Sequence, residues 1–357
     1  MTDALSRAAD GMRLTPDEGL ALFAAPLLEL GLAADARCRA LHPGETRTYV
    51  IGRNINYTNI CTACCTFCAF YRGAKSREGY LLSIDDILGK VAEMAAVGGT
   101  EMLLQGGLHP ALPLSWFAEV FRAIAEAYPR VQVHALSPPE ILRLAEREAM
   151  SIPAVLARLR AAGLASIPGG GAEILVDRVR ARISPRKYSA DQWLGVMREA
   201  HRQGLPTTAT MMYGHVETLA ERIAHLERLR ALQEETGGFV GFIPWPFQPG
   251  ATPLARDGDR GGDGGGAGFL RMLAISRLYL DNIPHLQSSW VTQGMKIGQL
   301  GLCFGADDLG STMMEEQVVS AAGTTYRTNA DTLRRLIDDL GFRPAQRTTT
   351  YRLVGSA

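Results

Sequence analysis

Residues 47–72 read RTYVIGRNINYTNICTACCTFCAFYR. The first part, Arg47–Asn56, reads as a β-strand, and the chain passes from it directly into Cys61-x3-Cys65-x2-Cys68. Three thiolates this close can wrap one corner of a cubane [4Fe–4S] cluster, giving three irons a protein ligand and leaving the fourth open. An open iron can chelate a small molecule, which turns an electron-transfer centre into a reaction site. Cys61, Cys65 and Cys68 are therefore the expected metal ligands.

A structural zinc site would need four ligands, usually as two short clusters. The other cysteines are Cys38 and Cys303, each isolated, and Cys64 inside the run, with no His-x3-5-His pair nearby. Disulfides do not fit either: the cysteines are crowded and the N-terminus does not read as a secretory signal. Cys64 also forms partial motifs with Cys61 and Cys68, but the spacing of the other three leaves it a bystander. Cys38 and Cys303 read as buried free thiols.

The 357 residues carry 37 basic and 37 acidic side chains and are 46% hydrophobic. Zero net charge offers no electrostatic case for a nucleic-acid partner. No apolar run approaches the roughly 20 residues that span a bilayer. An oxygen-sensitive cluster and reduced thiols together point to the cytoplasm.

Strand-like runs then alternate with helical ones, which predicts a parallel sheet with helical crossovers. The strands read as Arg47–Asn56, Glu101–Gln105, Val131–Leu136, Ala165–Pro168, Thr207–Tyr213, Val240–Pro244, Leu286–Val291 and Leu302–Gly305. Amphipathic stretches at Ser83–Ala96, Ser115–Tyr128, Ile152–Ala162, Ala190–Gln203, Thr218–Glu235, Phe269–Asn282 and Met295–Leu300 lie between them. Eight such strands predict an α/β fold, a (β/α)8 TIM-type barrel over residues 46–325. Residues 1–45 read as a helical lead-in and 326–357 as a helix and tail packed on the barrel. The glycine-rich stretch Asp257–Gly268 reads as a flexible surface loop or insertion.

In such a barrel the reacting groups sit at the C-terminal ends of the strands. The cysteine run occupies the first of these loops. Gln105-Gly106-Gly107 follows the second strand, where glycines let a ligand approach the backbone, although a Gly-Gly pair alone is more often a turn. After the fourth strand, Gly169-Gly170-Gly171-Ala172-Glu173 places a carboxylate behind a glycine run. Glu173 can accept hydrogen bonds from hydroxyls or an amino group, or complement a helix N-terminus. Arg178, Arg180 and Arg182 follow, with Arg180 the candidate for clamping a ligand carboxylate.

The cysteine spacing, with an aromatic residue before the last Cys, resembles the radical S-adenosylmethionine (SAM) enzymes. Asn56–Cys61 and Cys68–Arg72 resemble their menaquinone and deazaflavin branch. Further stretches resemble the cyclic dehypoxanthine futalosine synthases within it: Ala135–Ile141, Thr207–Thr218, Gly237–Pro249, Ser289–Gly294 and Gly305–Ser311. The likeness runs in order from about residue 47 to 325, covering most of the chain. Departures are Cys64, Thr66 and the glycine-rich stretch, none of which removes a cluster ligand.

This resemblance implies a [4Fe–4S] cluster on the three cysteines and SAM bound beside it. SAM would be held by Gln105, Gly106, Gly107, Glu173, Arg180 and Tyr71, with the Gly-Gly motif at its amino group. It further implies a small-molecule substrate, dehypoxanthine futalosine, and an electron donor such as flavodoxin or ferredoxin. A 5′-deoxyadenosyl radical would take the ribose C4′ hydrogen, and the carbon radical would close a ring onto the benzoate. The alternatives are a relative that adds the adenosyl radical to a double bond, as aminofutalosine synthase does, or a deazaflavin-synthase-like enzyme. From another class, a noncatalytic Fe–S or zinc protein would borrow the barrel.

Polar residues near strand ends are candidates for holding a ribose and a carboxylate: His109, Tyr213, Trp245, Gln248, Ser288, Trp290 and Asp308. His215, Tyr57 and Asp307 are the expected catalytic members. His215 could accept a proton near neutral pH. Asp307 and Asp308 could bind ribose hydroxyls or cap the next helix. His134 and His201 read as structural.

Overall fold

The computed structural model describes residues 2–258, 262 and 265–355. Its strands are β1 (Thr46–Val50), β2 (Gly52–Asn56), β3 (Glu101–Gln105), β4 (Gln132–Ala135), β5 (Leu164–Ser166), β6 (Thr207–Tyr213), β7 (Phe239–Pro246), β8 (His285–Leu286), β9 (Asp308–Ser311) and β10 (Arg343–Gln346). Every pairing between them is parallel. Three sheets, β10-β1-β9, β2-β3-β4-β5 and β6-β7-β8, are linked by parallel bridges Ile167–Thr207 and Gln287–Asp308. β1 and β2 are successive stretches of the chain, separated only by Ile51. This is the arrangement of a TIM-type barrel, with helices in the crossovers.

The helices begin where their caps dictate. Ser83 with Asp86, Ser137 with Glu140, Ser189 with Gln192 and Thr218 with Glu221 each form a capping box, in which both backbone N–H groups at a helix start find a side-chain acceptor. The lead-in is helical, with Thr2–Ala9, Pro16–Ala21 and Leu27–Leu41.

Alternation along the strands sorts two environments. Ile55, Met102, Leu104, Val133, Ala135 and Ala209 face outward into the helix layer and are buried there. Each such aliphatic side chain larger than alanine contributes about 1.5–3 kcal/mol when fully buried. Asn54, Asn56, Glu101, Gln105, His134, Thr208 and Thr210 face inward and line a cavity. An ordinary barrel of this kind fills its centre with layers of branched aliphatics. Here these inward strand positions carry polar side chains around a hollow centre.

Three predicted elements differ. Leu302–Gly305 is not a strand: Leu302 and Phe304 pack into the core in the turn after the helix Met295–Gly301, and the strand is Asp308–Ser311. Of the stretch predicted as Leu286–Val291, only Leu286 is strand, together with His285 before it; Gln287 adds a bridge to Asp308, and Ser289 then starts a short helix, Trp290–Gln293. Within the predicted tail, Arg343–Gln346 forms β10 beside β1. The glycine-rich stretch Asp257–Gly268 falls partly outside the described residues, and Gly266–Gly268 already belong to the helix Gly266–Tyr279.

Candidate active site

A cavity of about 380 Å³ occupies the barrel's centre and opens at the C-terminal ends of the strands. Cys61, Cys65 and Cys68 line its wall, together with Tyr71, Gln105, Gly106, Gly107 and Glu173. Cys64 does not. Its backbone is left-handed (φ 50°), and its sulfur lies 3.7 Å from Arg186 Nη1. Among the described residues the cysteine sulfurs do not gather within 4.8 Å of one another, as ligands of a single ion would.

Donors are already arranged for thiolates. The Leu108 N–H lies 3.3 Å from Cys61 Sγ. Burial raises the Cys68 thiol, while the Tyr71 and Phe70 N–H groups act in the opposite direction. Burial pushes the Cys65 thiol up to about 12, with Lys187 opposing. Metal ligation must therefore take that proton.

The Gly-Gly loop is locked against the cysteine loop. Gly107 N–H donates to Thr58 O at 2.9 Å, and Thr62 N–H donates to Leu108 O at 3.1 Å. A Cβ on Gly107 would lie 2.3 Å from Ile60 O, and one on Gly106 would lie 2.7 Å from the Tyr57 ring. Among the described residues the Gly106 and Gly107 carbonyls accept no hydrogen bond, leaving two acceptors for a ligand ammonium.

Tyr57, expected among the catalytic residues, is buried outside the cavity. Its hydroxyl donates to Glu140 Oε1 at 2.8 Å, which also accepts the Gly106 N–H at 3.1 Å. Glu140 Oε2 takes the Ser137 N–H and hydroxyl. One buried carboxylate therefore fixes the Gly-Gly loop, the Tyr57 ring and the start of helix Pro138–Arg147. In the sequence reading Glu140 falls only within the Ala135–Ile141 likeness, with no role of its own.

Glu173 sits ahead of helix Asp177–Ile183, so it does not serve that helix's first turn. Its backbone is left-handed (φ 43°), after Gly171 at φ 78°. Such a conformation costs about 1–3 kcal/mol and needs support. Arg180 supplies it. The expectation that Arg180 clamps a ligand is not met: its guanidinium donates to the carbonyls of Gly171, Ala172 and Tyr188, away from the cavity. Lys187 takes the place on the wall, with Nζ 2.8 Å from Glu173 Oε1. Burial would lower the Lys187 ammonium, yet Cys65 and Glu173 hold it above its ordinary range. Glu173 Oε2 is buried without a hydrogen bond, though Arg180 Nη1 lies 3.6 Å away.

His215 is also displaced from its expected role. Its Nε2 bonds Met212 O at 2.9 Å, and Nδ1 lies 2.8 Å from the Val216 nitrogen and 3.0 Å from Glu217 Oε2. It fixes a loop and does not line the cavity. Burial would raise Glu217, but His215, Arg222 and the Gly214 N–H hold it down at about 2. A depressed carboxylate stabilises above its unfolded pKa of about 4.5 and loses that contribution as pH falls toward 2. Thermal melts between pH 2 and 6 are expected to show a shallower acid-side decline for Glu217→Gln than for the unaltered chain; parallel curves would contradict this.

Asp307, the third expected catalytic residue, lies at the opposite end of the barrel. It precedes β9, bonds Arg277 Nη2 and His285 Nδ1 at 2.6 Å each, and accepts the Leu286 N–H. Asp308 is in β9 and grips Arg347, so neither acid caps a helix. Of the other candidates, Trp245, Gln248 and Trp290 line the cavity, as does His134, which reads as structural, whereas His109, Tyr213 and Ser288 do not.

The wall fits the groups implied for it. Three cysteines, two with N–H donors and the third beside Lys187, an orphaned buried carboxylate oxygen, and a cradle that a Cβ would fill match a cluster carrying an aminoacyl ligand.

Models of two families match the chain: the radical SAM superfamily over residues 55–229 and the CofH/MqnC C-terminal region over 236–356. A cyclic dehypoxanthine futalosine synthase from Halalkalibacterium halodurans is 44% identical, the match covering 98% of this chain and 94% of the relative. A 5-amino-6-(D-ribitylamino)uracil–L-tyrosine 4-hydroxyphenyl transferase from Methanosphaerula palustris is 42% identical, covering 97% and 96%. The crystal structure of methylornithine synthase shares the fold, with a TM-score of 0.75 at 18% identity, covering 96% of this chain and 97% of that one. The chain belongs to the radical SAM superfamily, whose enzymes use a [4Fe–4S] cluster and SAM, and within it to the group with a CofH/MqnC C-terminal region.

Proposed function

We propose that this enzyme converts dehypoxanthine futalosine to its cyclic product, a step of menaquinone biosynthesis. The near full-length identity to a curated cyclic dehypoxanthine futalosine synthase carries this reading. Held by Cys61, Cys65 and Cys68, a cluster with SAM beside it would supply the radical chemistry that removes a substrate hydrogen.

The chain's own residues bind, orient and exclude. Cys61, Cys65 and Cys68 hold the cluster, with the Leu108 N–H directed at the first of them. The free carbonyls of Gly106 and Gly107 are available to accept from a ligand ammonium, and Lys187 with Glu173 offers a matched charge pair to a zwitterion. Trp245, Phe247, Trp290 and Val291 give the cavity an apolar wall. That wall suits the benzoate ring and keeps water from reactive carbon. Holding the reacting carbon close to both the hydrogen acceptor and the ring is the main contribution, since the cofactor supplies the hard chemistry.

The transferase from Methanosphaerula palustris supports a second reading, in which a phenolic group is joined to a ribitylaminouracil. An anaerobic assay separates them. Reconstituted enzyme, SAM and a reductant receive each substrate in turn. A product lighter than dehypoxanthine futalosine by a pair of hydrogens, formed in step with 5′-deoxyadenosine, is expected. SAM cleavage that leaves this compound unchanged would remove the cyclase reading, and coupling of tyrosine to the uracil would replace it.

A further inference from the structure

The floor of the cavity holds a carboxyl group that no protein group satisfies. Glu101 opens β3 at the end away from the cysteines, is only 8% exposed, and lines the cavity. Among the described residues its side chain accepts no hydrogen bond and makes no ion pair. Buried polar groups left in that state cost free energy, so they are normally paired with protein, water or ligand.

The surroundings explain why Glu101 stays available. Arg347 is near enough to act on it electrostatically. Its guanidinium is nevertheless committed: Nε and Nη2 bond Asp308 at 2.6 and 2.8 Å, and Nη1 bonds Thr348 O. His134 is bonded through Nδ1 to Ser166 at 2.7 Å, and burial drives its pKa to about 4, so it is neutral near pH 7. Neither neighbour gives Glu101 a donor. Thr349 adds a buried hydroxyl oxygen without a partner in the same cavity lining.

An ionised carboxylate accepts hydrogen bonds and repels anions. We propose that Glu101 is a specificity-determining residue that accepts hydrogen bonds from hydroxyls of the substrate's ribose or ribityl portion. It thereby turns the substrate's carboxylate away from the floor. This rests on the reading above that the substrate is a sugar-bearing small molecule, and it applies to either named reaction. The wall near the cysteines selects for the cofactor, and the floor selects for the polyol.

The test uses reconstituted holoenzyme and the variants Glu101→Gln and Glu101→Ala. Iron content and the change in the cluster's EPR signal on adding SAM establish that the cofactor end is intact. Dehypoxanthine futalosine and 5-amino-6-(D-ribitylamino)uracil are then titrated separately, following tryptophan fluorescence for Kd and product for KM and kcat. The expected result is a rise of about tenfold to a hundredfold in Kd and KM, the loss of one charged hydrogen bond. The EPR response should be unchanged, with more 5′-deoxyadenosine formed per product. Unchanged Kd and KM in both variants, on a substrate the unaltered enzyme accepts, overturn the role of Glu101. An unaltered enzyme that binds neither compound overturns the substrate reading, and the proposal falls with it. Because Glu101→Gln keeps size and shape, it decides the matter if the alanine variant does not fold.

Discussion

Replacing Cys65 with alanine is expected to reduce turnover by about a thousandfold or more and to strip most iron from the reconstituted protein. Cys61→Ala and Cys68→Ala are expected to do the same, while Cys64→Ser leaves iron content and rate within about twofold. The contrast follows from where the sulfurs lie. Three line the cavity, beside N–H donors or the Lys187 ammonium, and the fourth sits by Arg186 outside it. Cys65 is the most buried of the three. Iron and sulfide per chain, the EPR signal of the reduced protein and 5′-deoxyadenosine release would all be read. Loss of the cluster in Cys64→Ser would show that the spacing had been assigned to the wrong three residues.

Gly107→Ala is the second large effect. Its Cβ would stand 2.3 Å from Ile60 O and 2.8 Å from Cys61 Cβ, in a segment held from both sides by hydrogen bonds. The obstruction is backbone, so no rotamer change relieves it. Overpacking of this kind costs about 3 kcal/mol. A displacement of the cysteine loop by an ångström would add about a hundredfold loss in turnover. Gly89 provides the control: it lies within the helix Ile84–Ala96 with open space around its Cβ position. Gly89→Ala is therefore expected to stabilise by about 0.5–1 kcal/mol without altering rate. Thermal melts and SAM titrations of both variants would test this, and a Gly107→Ala enzyme with ordinary SAM affinity would refute the tight-cradle account.

Legibility in the sequence followed how local each signal was. The cysteines, the Gly-Gly pair and Glu173 lie in loops whose place is set by the strand just before them, so motif and topology together put them in one wall. The seven predicted helical stretches were legible because apolar periodicity acts over a few residues, whereas the helices Pro138–Arg147 and Asp177–Ile183 are not among them. Asp307 and His215 were misjudged for a common reason. Each stands next to a strand, but the sequence does not say whether it is at the reacting end or turned into its own loop. Asp307 depended on locating the last inner strand, and Leu302–Gly305 imitated one because its apolar residues fill the core from a turn. Arg180 and Lys187 are both cations after the same glycine run. Only folding shows that the first is consumed by three carbonyls while the second reaches the cavity. Glu101 and Arg347 are far apart in sequence and meet inside the barrel, where no local pattern records them.

The cavity's floor is completed by Arg347, Thr349 and Tyr351, which follow β10, whereas the cysteine loop follows β2. Synthesis at about 5–20 residues per second separates these segments by tens of seconds on the ribosome. Through that interval the nascent barrel has its iron-binding loop but lacks its base, and β1 has no β10 beside it. A cluster delivered then would sit in an open, water-filled cup exposed to oxygen. Cluster loading is best placed after Arg347, Thr349 and Tyr351 have closed the floor.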